Sequence, residues 1–235
     1  MNKKINKQSI GIIGGMGPQA SAKLLEVLIS MCSNNFDAKN DNDFPEVILN
    51  SLSVPDFITS KENLDKVLEI LINRIKILDK FNPICFGIVC NTAHVMLDDL
   101  KSQTKTPFVS IIEEVVSDVK SSEIKKIGLL STPVTVKTKL YEHECAKNQI
   151  GLIIPSLKEQ KIVEGVIRNV LAGKSMNSDK IKLKLIANSL LNSGAEGIIL
   201  GCTELPLIFP KSFPSPVFNS IEILAKALLK KYYDN

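Results

Sequence analysis

Short apolar runs alternate with longer stretches of helical period along most of this chain. Residues 9–14, 46–50, 84–89, 108–110, 127–130, 151–154, 197–200 and 217–218 are rich in Ile, Val and Leu. They lack strict alternation, the pattern of strands covered on both faces. Between them, residues 20–31, 63–81, 111–120, 135–148, 159–171, 181–193 and 221–232 repeat apolar positions at helical spacing. Strand and helix take turns throughout, which predicts a doubly wound, parallel α/β architecture.

The second half repeats the first. Ile10-Gly11-Ile12-Ile13-Gly14-Gly15 corresponds to Ile127-Gly128-Leu129-Leu130-Ser131-Thr132. Gly11 precedes Cys90 by 79 residues, and Gly128 precedes Cys202 by 74. Two similar units are therefore expected, 1–112 (completed by 213–235) and 113–212, related by a pseudo-twofold axis. Ligands of open α/β sheets bind beyond the carboxyl ends of the strands. Gly14-Gly15-Met16-Gly17-Pro18, Ser131-Thr132-Pro133 and two cysteines all fall at such ends, which places the expected site in the cleft between the units.

Composition narrows the class. The 235 residues are 44% hydrophobic and 23% charged, enough for a sizeable core. A net charge of +4 from scattered lysines, with no Trp, offers neither a basic face nor a stacking platform for nucleic acid. No run approaches the roughly 20 apolar residues of a membrane span. The basic stretch 1–8 lacks the apolar segment of a signal peptide. Five cysteines without a CxxC spacing suit free thiols in a reducing cytoplasm better than a disulfide framework.

Two of those cysteines stand in matching contexts. Gly87-Ile88-Val89-Cys90-Asn91-Thr92 answers to Gly197-Ile198-Ile199-Leu200-Gly201-Cys202-Thr203-Glu204. A thiolate at a strand's carboxyl end, beside a helix N-terminus, is stabilised by backbone N–H groups and the helix dipole. Two such thiols suit stereochemical inversion at carbon: one removes a proton and the other returns one to the opposite face. The plainer reading, small buried hydrophobes, is accepted for Cys32, Cys85 and Cys145. His94, four residues past Cys90, either tunes that thiol or packs. A metal site needs three or four ligands and no second Cys/His cluster exists, so no metal is expected. Asn91, Thr92 and Thr203 offer donors to a carboxylate, or simply cap. Glu204 either orients a thiol, receives an ammonium group or is solvated. The glycine-rich turn meets only the loose G-x-G-x-x-A pattern and lacks a Walker Lys, so it reads as a tight turn approaching a small carboxylate.

Ile10-Gly11-Ile12-Ile13-Gly14-Gly15-Met16-Gly17-Pro18, Cys90-Asn91-Thr92-Ala93-His94 and Gly201-Cys202-Thr203-Glu204-Leu205, in this order and spacing, resemble the aspartate/glutamate racemase family. The resemblance spans essentially the whole chain. It implies two similar α/β domains, a catalytic cysteine from each (Cys90 and Cys202), no pyridoxal phosphate or other cofactor, and usually a homodimer. It puts substrate-carboxylate contacts on Asn91, Thr92 and Ala93, with help from Met16 and Thr132. Aspartate racemases of this group often carry an Arg after the Pro-Asp that follows the second strand, where Pro55-Asp56 here precedes Phe57. A Lys of the family's middle helix corresponds to Leu171. Lys61, Arg168 or Lys174 are the candidates to replace these cations. The expected activity is cofactor-free racemisation of aspartate or glutamate. The alternatives are a racemase, isomerase or decarboxylase of another small acid on the same scaffold, or a non-catalytic small-acid binding protein. A thiol redox protein predicts a Cys90–Cys202 disulfide.

Overall fold

Eight strands form where the apolar runs fall, within a residue at either end. In the computed structural model, which describes residues 8–234, they are β1 Ile10–Gly14, β2 Val47–Ser51, β3 Cys85–Ile88, β4 Phe108–Val109, β5 Lys126–Ser131, β6 Gly151–Ile153, β7 Ile198–Gly201 and β8 Val217–Asn219. The basic stretch 1–7 lies outside the described residues. The strands make two parallel sheets of identical order, β2-β1-β3-β4 and β6-β5-β7-β8. This is the expected pair of similar α/β units.

Nine α-helices are present among the described residues: α1 Pro18–Phe36, α2 Leu64–Leu78, α3 Leu97–Lys101, α4 Ile111–Ser121, α5 Pro133–Lys137, α6 Leu140–Lys147, α7 Leu157–Leu171, α8 Asn177–Asn192 and α9 Ser220–Tyr233. Local chemistry starts several of them. Ser110 Oγ accepts the Glu113 N–H, and Ser156 and Glu159 form a reciprocal capping box. At the start of α9, Asn219 Oδ1 takes the Ile221 N–H at 3.1 Å.

Both faces of each sheet are covered at the central strands β1, β3, β5 and β7, which is why their sequences do not alternate with polar residues. Ile10, Ile12, Cys85 and Val89 of the first unit share one core with Ile127, Leu129, Ile199 and Phe218 of the second. Val115, Val116, Leu224 and Leu228 on α4 and α9 complete it. On the opposite face of the first sheet, Ile13, Phe86 and Ile88 pack with Val67, Leu71 and Ile75 of α2. The second sheet repeats this with Leu130, Ile198 and Leu200 against α7 and α8. Period-two alternation along β3 and β7 sends Cys90 and Cys202 to these outer faces.

The chain departs from the sequence expectations in three places. The stretch 135–148 is two helices, not one, broken where Lys139 adopts a left-handed backbone at φ 58°. α5 is pinned at its start, with its Val134 N–H bonded across the units to the Ile58 carbonyl at 3.2 Å. The break then lets the chain turn so that Tyr141 is fully buried. Neither cysteine is followed by a full helix: 3-10 turns Thr92–Met96 and Leu205–Leu207 come first. Finally, β8 pairs with β7, so the return to the first unit begins only at α9, which packs on α1 and β3. The expected boundary at 112/113 falls just inside α4.

Candidate active site

Both thiols sit one or two residues past the central strands of their sheets. Pairing runs almost to Cys90, since the Val89 N–H donates to the Ile13 carbonyl at 2.9 Å. In the second unit Ser131 pairs with Gly201 directly before Cys202. Each thiol is only 4% exposed. Cys32, Cys85 and Cys145 lie instead in the shared core, and none of the five cysteines is in a disulfide. Cys90 and Cys202 are near enough that charge on one raises the pKa of the other.

Their polar neighbours differ. Cys90 receives the N–H groups of Ala93 and Thr92 and the Thr92 hydroxyl, all of which favour a thiolate. Burial outweighs these three donors and, with the Glu204 charge, pushes the thiol up to about 12. Cys202 donates its S–H to Glu204 Oε2 at 2.9 Å. Burial first, then the adjacent Glu204 charge and that hydrogen bond, holds Cys202 well above the usual thiol range. The backbone donors anticipated from the sequence are present at Cys90, but desolvation outweighs them.

Glu204 joins the two units. Its Oε1 accepts the Gly17 N–H of the glycine-rich turn at 2.9 Å, while Oε2 takes the Cys202 S–H and, at 3.4 Å, the Thr203 hydroxyl. Burial raises its carboxyl pKa against these donors. Gly15 makes the turn possible: its φ is +89°, and a side chain there would run into the Leu52 backbone. A Cβ at Gly17 would push on the end of the Leu171 side chain and stand 3.1 Å from Glu204 Oε1.

The remaining predicted residues gather around the thiols, several with their side chains already engaged. Asn91 accepts the Tyr141 hydroxyl at 2.7 Å and donates to Ser220 Oγ, which in turn bonds the Leu200 carbonyl. Its side chain thus ties the two units, with one of its two amide N–H groups used on Ser220. His94 Nε2 accepts the Ile111 N–H at 3.1 Å, so its ring proton sits on Nδ1 and is donated to the Cys90 carbonyl at 2.9 Å. Burial depresses its pKa to about 4, and the ring is a neutral strut beneath Cys90. Thr92, Thr132 and Thr135 hydroxyls form a closed triangle with edges of 2.8–3.0 Å. Ala93 and Met16 are buried in the cluster that holds Cys90. No group of three or more His, Cys, Asp or Glu among the described residues is placed to hold a metal.

A cavity of about 180 Å³ opens beside Glu204. Met16, Val54, Phe57, Ile58 and Leu171 line it, together with Asp56 and the glycine-rich turn. Arg168 does not point into it as a free cation, because its guanidinium grips Asp56 with two bonds of 3.0 and 2.7 Å and also bonds Thr59. Lys61 and Lys174 are exposed and outside the lining.

A family model described as Asp/Glu/Hydantoin racemase matches residues 13–228. The chain belongs to this racemase family. As a member it is an isomerase with amino-acid racemase relatives. The Picrophilus torridus aspartate racemase superposes with a TM-score of 0.82 at 31% identity, over 96% of this chain and 94% of that one. An aspartate racemase homologue from Pyrococcus horikoshii OT3 gives 0.79 at 28% identity, over 95% and 98%. The broad specificity amino-acid racemase RacX of Bacillus subtilis (strain 168) is 24% identical over 95% of this chain and 97% of its own. No helix among the described residues of this racemase-family chain is long and apolar enough to cross a membrane.

Sequence reasoning about this family member missed Thr135, Tyr141, Ser220 and the Asp56–Arg168 ion pair. Thr135 carried a usable signal: it lies three residues past the capping Thr132, on the same side of a helix start. Tyr141 and Ser220 carried none, since their partner Asn91 is 50 and 129 residues away.

Proposed function

We propose that this protein racemises an amino acid without a cofactor, with Cys90 and Cys202 as the acid/base pair on opposite faces of the α-carbon. One thiolate removes the α-proton; the other thiol delivers its proton to the far face, and the two exchange roles for the enantiomer. The observation that carries this reading is the placement of two buried thiols at equivalent strand ends, both within the field of one carboxylate, Glu204. Burial holds both thiols above the usual thiol range, so binding must help one ionise. The substrate's ammonium group supplies positive charge in a site that otherwise offers only Glu204, and an opposite charge lowers a buried thiol's pKa. Aspartate and glutamate are the reference substrates by family. A cytoplasmic homodimer belongs to the same proposal, supported by the family resemblance and by five buried cysteines outside any disulfide.

The test is α-proton exchange followed by NMR in deuterated buffer, with no cofactor added. Solvent deuterium is expected at the α-carbon of both enantiomers, with no net consumption of amino acid. Consumption with release of carbon dioxide would replace the racemase reading by a decarboxylase.

A further inference from the structure

The cavity beside Glu204 is lined for something other than a carboxylate. Phe57 is 3% exposed and Met16 8%, and Val54, Ile58 and Leu171 close the remaining apolar wall. Leu171 reaches across the cleft from α7 to lie on Gly17, while Gln19 Nε2 bonds the Leu171 carbonyl at 3.2 Å and fixes that end of the helix. The polar side chains in this lining, Asp56 and Glu204, are both carboxyl groups. Glu204 is buried and already takes a backbone N–H and a thiol. Gln19 Oε1, buried without a hydrogen-bond partner, lies 3.6 Å from where a Gly17 Cβ would stand. The nearest guanidinium is spent on Asp56 and Thr59.

A negatively charged side chain entering here would lose its hydration, meet no free cation and face Glu204. A buried, unpaired charge of this kind is strongly disfavoured. An apolar side chain would meet matching surface and leave the existing hydrogen bonds untouched. The cavity is below the roughly 300–1,000 Å³ of drug-sized pockets, a scale that suits a single amino-acid side chain.

We propose that the substrate of this site is an α-amino acid with an uncharged, apolar side chain, which Phe57 and Leu171 select by taking the place of cations. The proposal rests on the racemase reading and narrows its substrate class. The experiment is α-deuterium exchange over both enantiomers of leucine, methionine, valine, aspartate, glutamate, lysine and arginine, with Cys90→Ser run alongside. Exchange of leucine, methionine or valine at least about 100-fold faster than aspartate or glutamate, and lost in Cys90→Ser, is expected. Leu171→Lys should then raise aspartate exchange about tenfold and slow the apolar substrates, by returning a cation to the wall. Preference for acidic or basic amino acids, abolished by Cys90→Ser, would overturn the apolar assignment and leave the two-thiol reading standing. An unchanged aspartate-to-leucine ratio in folded Leu171→Lys would remove Leu171 from the selecting wall. Silence across the whole panel would overturn the racemase reading, and this inference with it.

Discussion

Cys90 follows β3 and Cys202 follows β7, the same strand in two sheets of the same order, and beyond the thiols the two segments diverge. After Cys90 come Asn91, Thr92, Ala93 and His94, which turn donors toward the sulfur and brace its carbonyl with a neutral imidazole. After Cys202 come Thr203 and Glu204, and the sulfur becomes a donor to a buried carboxylate. The frame therefore duplicates position without duplicating electrostatics. Cys90 is thus offered donors that favour a thiolate, whereas Cys202 is offered an acceptor that favours the thiol. On the proposed two-thiol mechanism, that asymmetry predicts Cys90 as the starting base and Cys202 as the starting acid.

The strongest way to break this comparison is to remove each thiol in turn. Cys90→Ser and Cys202→Ser should each lower racemisation by about 10²–10⁴-fold, the usual contribution of a positioned acid or base. Serine keeps the size of the side chain in a site this buried, so circular dichroism should show both variants folded. Steady-state racemisation checks the rate. If either variant keeps wild-type racemisation, the thiols are not a two-sided pair, however alike their strand ends are.

A second difference lies under the thiols and shows itself in acid. His94 occupies the position four residues past Cys90, where the second unit has Pro206. The folded protein holds His94 neutral down to about pH 4, whereas the unfolded chain protonates an ordinary imidazole near 6.5. The stabilising contribution of the neutral ring is complete above pH 6.5. It is lost as pH falls toward 4, because only the unfolded chain gains the proton in that window. The loss is on the order of 3 kcal/mol. Urea unfolding across this range should show wild type weakening with acid and His94→Gln weakening less steeply. Equal slopes would mean that the acid-sensitive strut is elsewhere, and the two units would not differ in this respect.

Most of the fold was legible in the sequence, and part of the site was. Strands such as Ile10–Gly14 and Cys85–Ile88 are apolar throughout because both faces are covered, and the glycine-to-cysteine spacing exposed the internal repeat. The helix break at Lys139 was not legible, since the pull on α5 comes from Ile58 in the other unit. The thiols themselves were visible from their matching strand ends. Their pKa direction was not: backbone donors can be guessed locally, but the desolvation that outweighs them is a property of the packed molecule. The bond from Gly17 to Glu204 spans 187 residues, with no local pattern to betray it.

The smallest effect expected is also the most direct probe of the asymmetry. Glu204 raises both thiols, and it acts on Cys202 through a hydrogen bond as well as through charge. Glu204→Gln removes the charge while leaving an amide oxygen for the Gly17 N–H. Thiolate should then form at lower pH at both sites, with alkylation of Cys202 rising about tenfold at a given pH and that of Cys90 by less. Peptide-resolved mass spectrometry after brief alkylation by a small reagent distinguishes the two. The result also decides a competition within Glu204 itself, where burial favours the neutral acid and four side-chain and backbone donors favour the anion. If neither thiol responds, burial has already won, Glu204 is neutral in the resting protein, and its role beside Cys202 is that of a hydrogen-bond partner without charge. If both respond equally, the field of Glu204 is shared evenly across the cleft, and the polarity between the two thiols must come from the donors around Cys90 alone.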